Sequence, residues 1–414
     1  MPATAPRPGL TPHQRRTIRT HLALIPVYVW LAYVWPVFFA QLPVSTRADQ
    51  THMVRDFLHF YTQGLITREH DVRALYDINA MAAVADRVVP GVPKAVFPPV
   101  YPPQVSLFFS PLARLSYLPA LYAWLGVTLV GFAACTFVVW RQSDLPRDSA
   151  WPVAVLALGA PGLHFTLSFA QASVLGLSGF TALWLALKRG HLFTAGLAIG
   201  VLAYKPQLGI VAAFVFLLRR EWRVVAGATT SIALQFLAAW AYWGGSVFQG
   251  YVRALWNLSS VFDAMEPNKD VAYSIRSVFL ALSLSPRTAL ALSLVVSGVV
   301  IGAAVAAWRP AVPMARRYAG LVFASLLVDP HLYGYDLVLA VPAMVLAGGW
   351  AVRQREELLL AGLILVYIGP ILTMIASLPA AMTTIGLAAT TACILGRSGK
   401  NVDVWRQSKS GSAD

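Results

Sequence analysis

The chain has 414 residues, of which 57% are hydrophobic and only 12% charged, with 32 Lys and Arg against 18 Asp and Glu. A soluble domain carries roughly 25% charged residues, so this composition excludes an ordinary soluble enzyme. The formal charge of +14 suits loops facing anionic lipid and does not announce nucleic-acid binding.

Apolar runs of about 20 residues, the length that crosses ~30 Å of hydrocarbon as helix, recur along the whole chain. Runs this long are not barrel strands, so the expected fold is an all-α polytopic membrane protein. About twelve membrane elements are expected, with both ends cytoplasmic. They form one transmembrane domain over 21–396, between a basic segment (1–20) and a solvated tail (397–414).

The first helix is expected at 21–42, after Arg7, Arg15, Arg16 and Arg19. It is too long for a signal-peptide core and lacks a small-x-small cleavage site, so it should remain as a helix. A polar segment follows over 43–96, then an element over 103–115 and a helix over 117–140 that returns to Arg141 and Arg147. Helices over 151–169 and 172–187 come next, ending at Lys188 and Arg189. The apolar stretch 192–218 is interrupted by Lys205-Pro206 and closes on Arg219, Arg220 and Arg223. With both basic flanks in the cytoplasm it is expected to be a hairpin of two short helices with Tyr204 to Gln207 at its outer tip. Broken helices in membranes are tolerated where their backbone lines a cavity.

Helix 224–243 leads to a second polar segment, 244–286. Helix 288–308 returns to Arg309, Arg316 and Arg317, helix 318–329 runs out to Asp329-Pro330-His331, and helices over 334–351, 358–377 and 379–396 close the bundle. The polar segments 43–96 and 244–286 are the expected outer loops. Arg397, Lys400, Arg406 and Lys409 mark the cytoplasmic tail.

On this topology the unusual polar residues collect on one side. Charges at membrane depth are expensive, so each is a functional candidate. Asp56 reads either as a helix N-cap or partner of Arg55, or as a general base at the membrane surface that takes a proton from a sugar hydroxyl. Asp71, Asp77 and Asp86 read as solvated helix faces. Lys205 needs an anionic partner or a set of broken-helix carbonyls, and a lipid-linked phosphate is one such anion. His331, flanked by Asp329 and Tyr333, reads as a turn histidine, a phosphate contact or a proton relay. Gln171 stands at the junction of two helices, and the Pro-rich run from Phe97 through Tyr101 to Pro103 reads as a rigid strap. Cys135 and Cys393 each lie inside an apolar run and read as core residues without a disulfide or metal role. No phosphate loop, Ser/His/Asp set, metal-ligand cluster or Asp-x-Asp pair appears, so neither a cofactor nor a metal is expected.

Taken in order, several of these segments resemble glycosyltransferase family 87. They are Arg55-Asp56-Phe57 to Tyr61, Leu75-Tyr76-Asp77, Phe97 to Pro103 with Ser110-Pro111-Leu112, Phe169-Ala170-Gln171, Ala195-Gly196-Leu197 leading to Lys205-Pro206, Arg219 to Arg223, and Asp329-Pro330-His331. Ala170 departs from the glycine expected before Gln171. The resemblance implies a GT-C fold and an enzyme of the bacterial inner membrane, active on the outer face. Its donor would be a polyprenyl-phosphate sugar, mannose being the best-known case, and its acceptor a glycolipid or glycan. It maps the base onto Asp56, the basic residue of the broken-helix tip onto Lys205 and the histidine of the late outer turn onto His331, the last two meeting the departing phosphate. Gln171, Tyr101 and Tyr333 are further candidates for substrate binding. The loop aromatics Tyr251, Trp256 and Phe262 would frame the acceptor. An alternative class, a transporter or flippase for a lipid-linked sugar, would need a polar path across the membrane, and the helix centres are almost free of acids.

Overall fold

A computed structural model of the chain describes residues 11–41, 55–90, 99–265, 272–376 and 379–396. Residues 1–10 with Arg7, residues 42–54, residues 91–98 with the start of the Pro-rich strap, and the basic tail from Arg397 lie outside the described residues, as does the side chain of Phe262.

Among the described residues there are eighteen α-helices, joined in places by 3-10 turns, and no strand. In chain order they are α1 (Pro12–Gln41), α2 (Arg55–Glu69), α3 (Ile78–Val88), α4 (Pro103–Phe109), α5 (Tyr117–Arg141), α6 (Ala150–Leu158), α7 (Pro161–Phe169), α8 (Ser173–Lys188) and α9 (Leu192–Gly200). There follow α10 (Ile210–Leu218), α11 (Trp222–Trp243), α12 (Ser246–Met265), α13 (Ile275–Ala281), α14 (Pro286–Ala307), α15 (Met314–Val328), α16 (Ala340–Gln354), α17 (Glu357–Ala376) and α18 (Ala381–Gly396). Among the described residues six helical segments, built on α1, α5, α11, α14, α16 and α17, are long and apolar enough to cross a membrane, and a seventh is counted where the bent pair α6–α7 is taken as one span. Shorter apolar helices fill the space between them. The chain is therefore a multi-pass helical membrane protein.

Three boundaries differ from the sequence reading, each for a local reason. Helix α1 starts at Pro12 rather than 21 because Thr11 and Gln14 form a reciprocal cap, Gln14 N–H to Thr11 Oγ1 at 3.2 Å and Thr11 N–H to Gln14 Oε1 at 2.8 Å. That arrangement, with Pro in the first turn, is a start signal written in the sequence. The expected helix over 151–169 is two helices bent by 46° at Gly159-Ala160-Pro161, since Pro161 cannot continue the ladder and instead opens α7. The stretch after Tyr333 begins as a 3-10 helix over Gly334–Leu339 before α16.

The 192–218 stretch divides as its Lys-Pro pair suggests. Helix α9 and a 3-10 turn lead to Lys205, and a second 3-10 turn over Pro206–Gly209 leads into α10. Helix α9 lies parallel to α11 at backbone contact: a Cβ on Gly196 would collide with the Val224 carbonyl, and one on Gly227 with the Phe193 carbonyl. Small residues permit this approach where side chains would forbid it. The parallel pairing sets the basic flank Lys188-Arg189 level with Arg219-Arg220 and leaves the break at Lys205 inside the bundle, where it is 6% exposed.

Most buried side chains form one core that runs through α2, α5, α8, α10 and α15. A smaller cluster of Ile66, Leu75, Met81, Val84, Trp243 and Val247 joins the 55–90 segment to the end of α11 and the start of α12. The described parts of the two polar segments, expected as helical outer loops, are largely helical and packed on one another.

Candidate functional site

The site is built at three places where helices break. The first turn of α2 holds Asp56. Burial of Phe57 and Phe60, with Phe60 stacked on Phe109 at 4.7 Å, orients that helix, and Tyr61 Oη donates to the Leu115 carbonyl at 2.8 Å. Across from it, the α7–α8 junction presents Gln171. Gln171 Nε2 donates to Asp56 Oδ2 at 2.7 Å, while its Oε1 accepts from the Ala172 N–H at 3.2 Å. The second bond fixes the amide orientation, so the carboxylate meets N–H rather than C=O.

The residue before Gln171 explains the glycine expected there. Ala170 ends α7 at φ 49°, ψ 46°, the left-handed region that glycine enters freely and alanine at a cost of about 1 kcal/mol. Its carbonyl accepts from Trp124 Nε1 at 3.0 Å. The site thus holds a strained backbone in place, and the strain aims Gln171.

Lys205 occupies the second break. Its ammonium donates to Asp336 Oδ2, lies 4.0 Å from Asp329 Oδ2 and sits 5.2 Å from the centre of the Tyr335 ring. Asp336 Oδ1 accepts from Ser173 Oγ at 2.9 Å, and Asp329 Oδ1 accepts from the His331 N–H at 2.9 Å. Both carboxylates are essentially inaccessible, at 1% for Asp329 and 0% for Asp336. The charge of Lys205 is therefore matched by acids from a turn more than a hundred residues away, rather than by the carbonyls of its own broken helix. A buried cation with two acids and a hydroxyl around it is the arrangement that desolvation demands. Burial pushes the Asp329 carboxyl above the usual range, with Lys205 pulling it back and Asp336 adding to the rise.

Tyr101 links the two halves. Its phenol is pushed up by burial first, and then by the carboxylates of Asp56, Asp336 and Asp329, all close enough to act on it. Its carbonyl accepts from Tyr76 Oη at 3.0 Å. The third break supplies a wall of rings: His331 lies 4.6 Å from Tyr333, Tyr333 stacks on Tyr335 at 5.7 Å, and Tyr335 meets Phe169 edge-on at 6.2 Å. On α2, the His59 ring lies 5.9 Å from that of Tyr101, and Gln63 Nε2 is 3.2 Å from its Nε2. Burial lowers His59 to about 4.

A backbone lock holds these parts in register. Thr166 Oγ1 on α7 donates to the Tyr335 carbonyl at 2.8 Å. Any Cβ on Gly162 would press into the backbone of Leu337 and Val338. The helix that aims Gln171 and the turn that carries Asp336 are thus held in direct backbone contact.

Asp56 and Gln171 are brought into direct contact. Lys205, His331 and Tyr333 converge on the Asp329–Asp336 turn, and Tyr101 stands between the two groups. Gln171, expected against a substrate, spends its amide on Asp56 and positions that carboxylate. Asp336, Ser173, Tyr335 and His59 complete the site. An acid five residues past the Asp329-Pro330-His331 turn, between apolar runs, was a signal for Asp336, whereas nothing local marks Ser173. Asp71 and Asp77 are exposed, as expected of solvated positions, and also cap local turns: Asp71 Oδ1 accepts from the N–H of Arg73 and Ala74, and Asp77 Oδ1 from those of Asn79 and Ala80. Both cysteines are free. Among the described residues no group of three or more His, Cys, Asp or Glu is arranged to hold a metal ion.

These features define a multi-pass membrane protein with a carboxylate-centred site framed by aromatic rings, built where its helices break. The sequence model of glycosyltransferase family 87 matches residues 100–330, more than half of the chain, and the chain belongs to that family. It is thus a membrane glycosyltransferase. Tyr101, Gln171, Lys205 and Asp329 fall inside the matched region, while Asp56, His331, Tyr333 and Asp336 lie outside it. No curated protein and no solved structure matches the chain.

Proposed function

We propose that the enzyme transfers a hexose, mannose in the first instance, from a polyprenyl-phosphate carrier to a glycolipid or glycan acceptor on the outer face of the bacterial inner membrane. The Asp56 carboxylate, oriented by Gln171 beside Tyr101, is the observation that carries this reading. The acceptor hydroxyl oxygen attacks the anomeric carbon as its proton passes to Asp56. The bond from that carbon to the phosphate oxygen breaks, and the electron pair leaves with the polyprenyl phosphate. Attack from the opposite face inverts the centre, so a β-linked donor gives an α-glycoside.

In this reading His331 donates to the negative charge that grows on the phosphate. Lys205 adds its field, but two carboxylates already neutralise it, so its larger task is to hold the Asp329–Asp336 turn. Tyr333, Tyr335 and Tyr101 offer ring faces to the sugar. No metal or cofactor takes part in this scheme. Its test is a donor panel given to the purified protein in liposomes: polyprenyl-phosphate-mannose, polyprenyl-phosphate-glucose and GDP-mannose, each with a membrane-lipid acceptor extract. Transfer from a polyprenyl phosphate alone supports the reading, and transfer from the nucleotide sugar overturns it.

A further inference from the structure

Helix α12 has no part in the chemistry above, yet its surface is divided in an unusual way. Successive helical residues turn by about 100°, which sorts its first three turns into three sectors. Val247, Gly250, Tyr251 and Ala254 face the protein. There Val247 is fully buried, the Tyr251 ring lies 5.6 Å from that of Tyr76, and a Cβ on Gly250 would sit 3.1 Å from the Tyr76 ring. Next around the helix come Val252, Leu255 and Trp256, which are 59%, 39% and 83% exposed. The remaining sector is polar and exposed, with Gln249, Arg253 and Asn257.

The position of this helix fixes what its apolar sector meets. It begins three residues after the end of α11, a 22-residue apolar span, past a turn made by Gly244 and Gly245. Gly244 takes a φ of 73°, open to glycine at little cost, which lets the chain change direction at once. The last turn of α11 carries Trp240 and Tyr242, both exposed, as an aromatic girdle does at the edge of hydrocarbon. A helix leaving that edge with one side on protein, one side apolar and one side carrying an arginine matches the lipid–water interface on each count.

We propose that α12 is an interfacial helix whose Val252–Leu255–Trp256 sector docks into the bilayer at headgroup depth, with Arg253 reaching the lipid phosphates. Through Tyr251 it grips Tyr76, whose hydroxyl holds the Tyr101 carbonyl. The membrane surface is thereby tied to the strap at the site and sets the height at which lipid-borne substrates meet it.

The test does not depend on the transfer reaction. Spin labels are placed at Val252→Cys, Trp256→Cys and Arg253→Cys in a Cys135→Ala, Cys393→Ala background, reconstituted in liposomes with anionic lipid. Labels at 252 and 256 should be reached by oxygen several-fold better than by a water-soluble nickel chelate, and the label at 253 should show the reverse preference. Equal, water-like accessibility at 252 and 256 would overturn the proposal. Should the cysteine-free chain fail to fold, brominated-lipid quenching of wild type against Trp256→Phe gives the same reading. A lower quenched fraction in the variant supports docking, and an unchanged fraction refutes it.

Discussion

Replacing Lys205 by Met leaves Asp336 and Asp329 facing each other in a buried site whose compensating cation is gone. Both acids are at most 1% exposed, so water does not relieve them. Breaking a buried pair in this way costs about 3–5 kcal/mol. Asp336→Asn is gentler, because the amide keeps the Ser173 hydrogen bond and Lys205 retains Asp329 at 4.0 Å. A loss of about 1–3 kcal/mol follows from a weakened pair. The double variant removes cation and acid together, and Asp329, already pushed toward its neutral form by burial, takes up a proton. It should therefore be more stable than Lys205→Met alone, which requires a coupling energy larger than the Asp336→Asn loss, roughly 3 kcal/mol. Equilibrium unfolding of the four proteins in mixed SDS micelles reads that cycle. Additivity within about 0.5 kcal/mol would show that Lys205 and Asp336 do not depend on each other, and the account of the turn would fail.

Other expectations follow from the same geometry. Gln171→Leu should lower turnover by about 10–100-fold, the effect of losing a supporting shell around an active group, with KM little changed. Gln171→Glu sets a second carboxylate against Asp56 and should move the acid limb of the pH–rate profile upward, because one of the pair must hold a proton. Ala170→Gly relieves the left-handed backbone but loses a buried methyl and adds unfolded-state freedom, so its stability should stay within about 1 kcal/mol of wild type. Ala170→Val, β-branched at a positive φ, should lose stability and depress turnover as Gln171→Leu does. His59 titrates at about 4 in the folded protein against 6.5 unfolded. The unfolded chain binds the proton first as the pH falls, so stability present above pH 6.5 declines toward pH 4 and then levels. The total is at most about 3 kcal/mol, and His59→Phe should flatten that slope in pH-dependent unfolding.

The helical, multi-pass architecture and the break at Lys205-Pro206 are legible because they rest on long apolar runs, basic flanks and a proline, all local in the chain. Thr11 with Gln14 and Gly159-Ala160-Pro161 were equally local, and their capping and bending logic accounts for α1 and α6–α7. Asp56, Gln171, Lys205 and His331 stand out in the sequence as polar residues at the ends or breaks of apolar runs. Their pairings do not, because contacts between Gln171 and Asp56 or between Lys205 and Asp336 span more than a hundred residues and depend on helix packing that no local pattern encodes. Ala170 shows the same limit from the other side. The sequence marks it as unusual, but only the backbone reveals that a left-handed turn is what asks for glycine.

The central claim is that Asp56 is the base of a sugar transfer. Its most direct test is single-turnover transfer from radiolabelled polyprenyl-phosphate-mannose to membrane-lipid acceptors, with wild type and Asp56→Asn in matched liposomes. Unfolding curves and far-UV spectra establish that both are folded. The account predicts a rate loss of about 10²–10⁴ in the Asn variant, the usual contribution of a general base, with donor binding retained. Transfer at equal rates by the two proteins would contradict it.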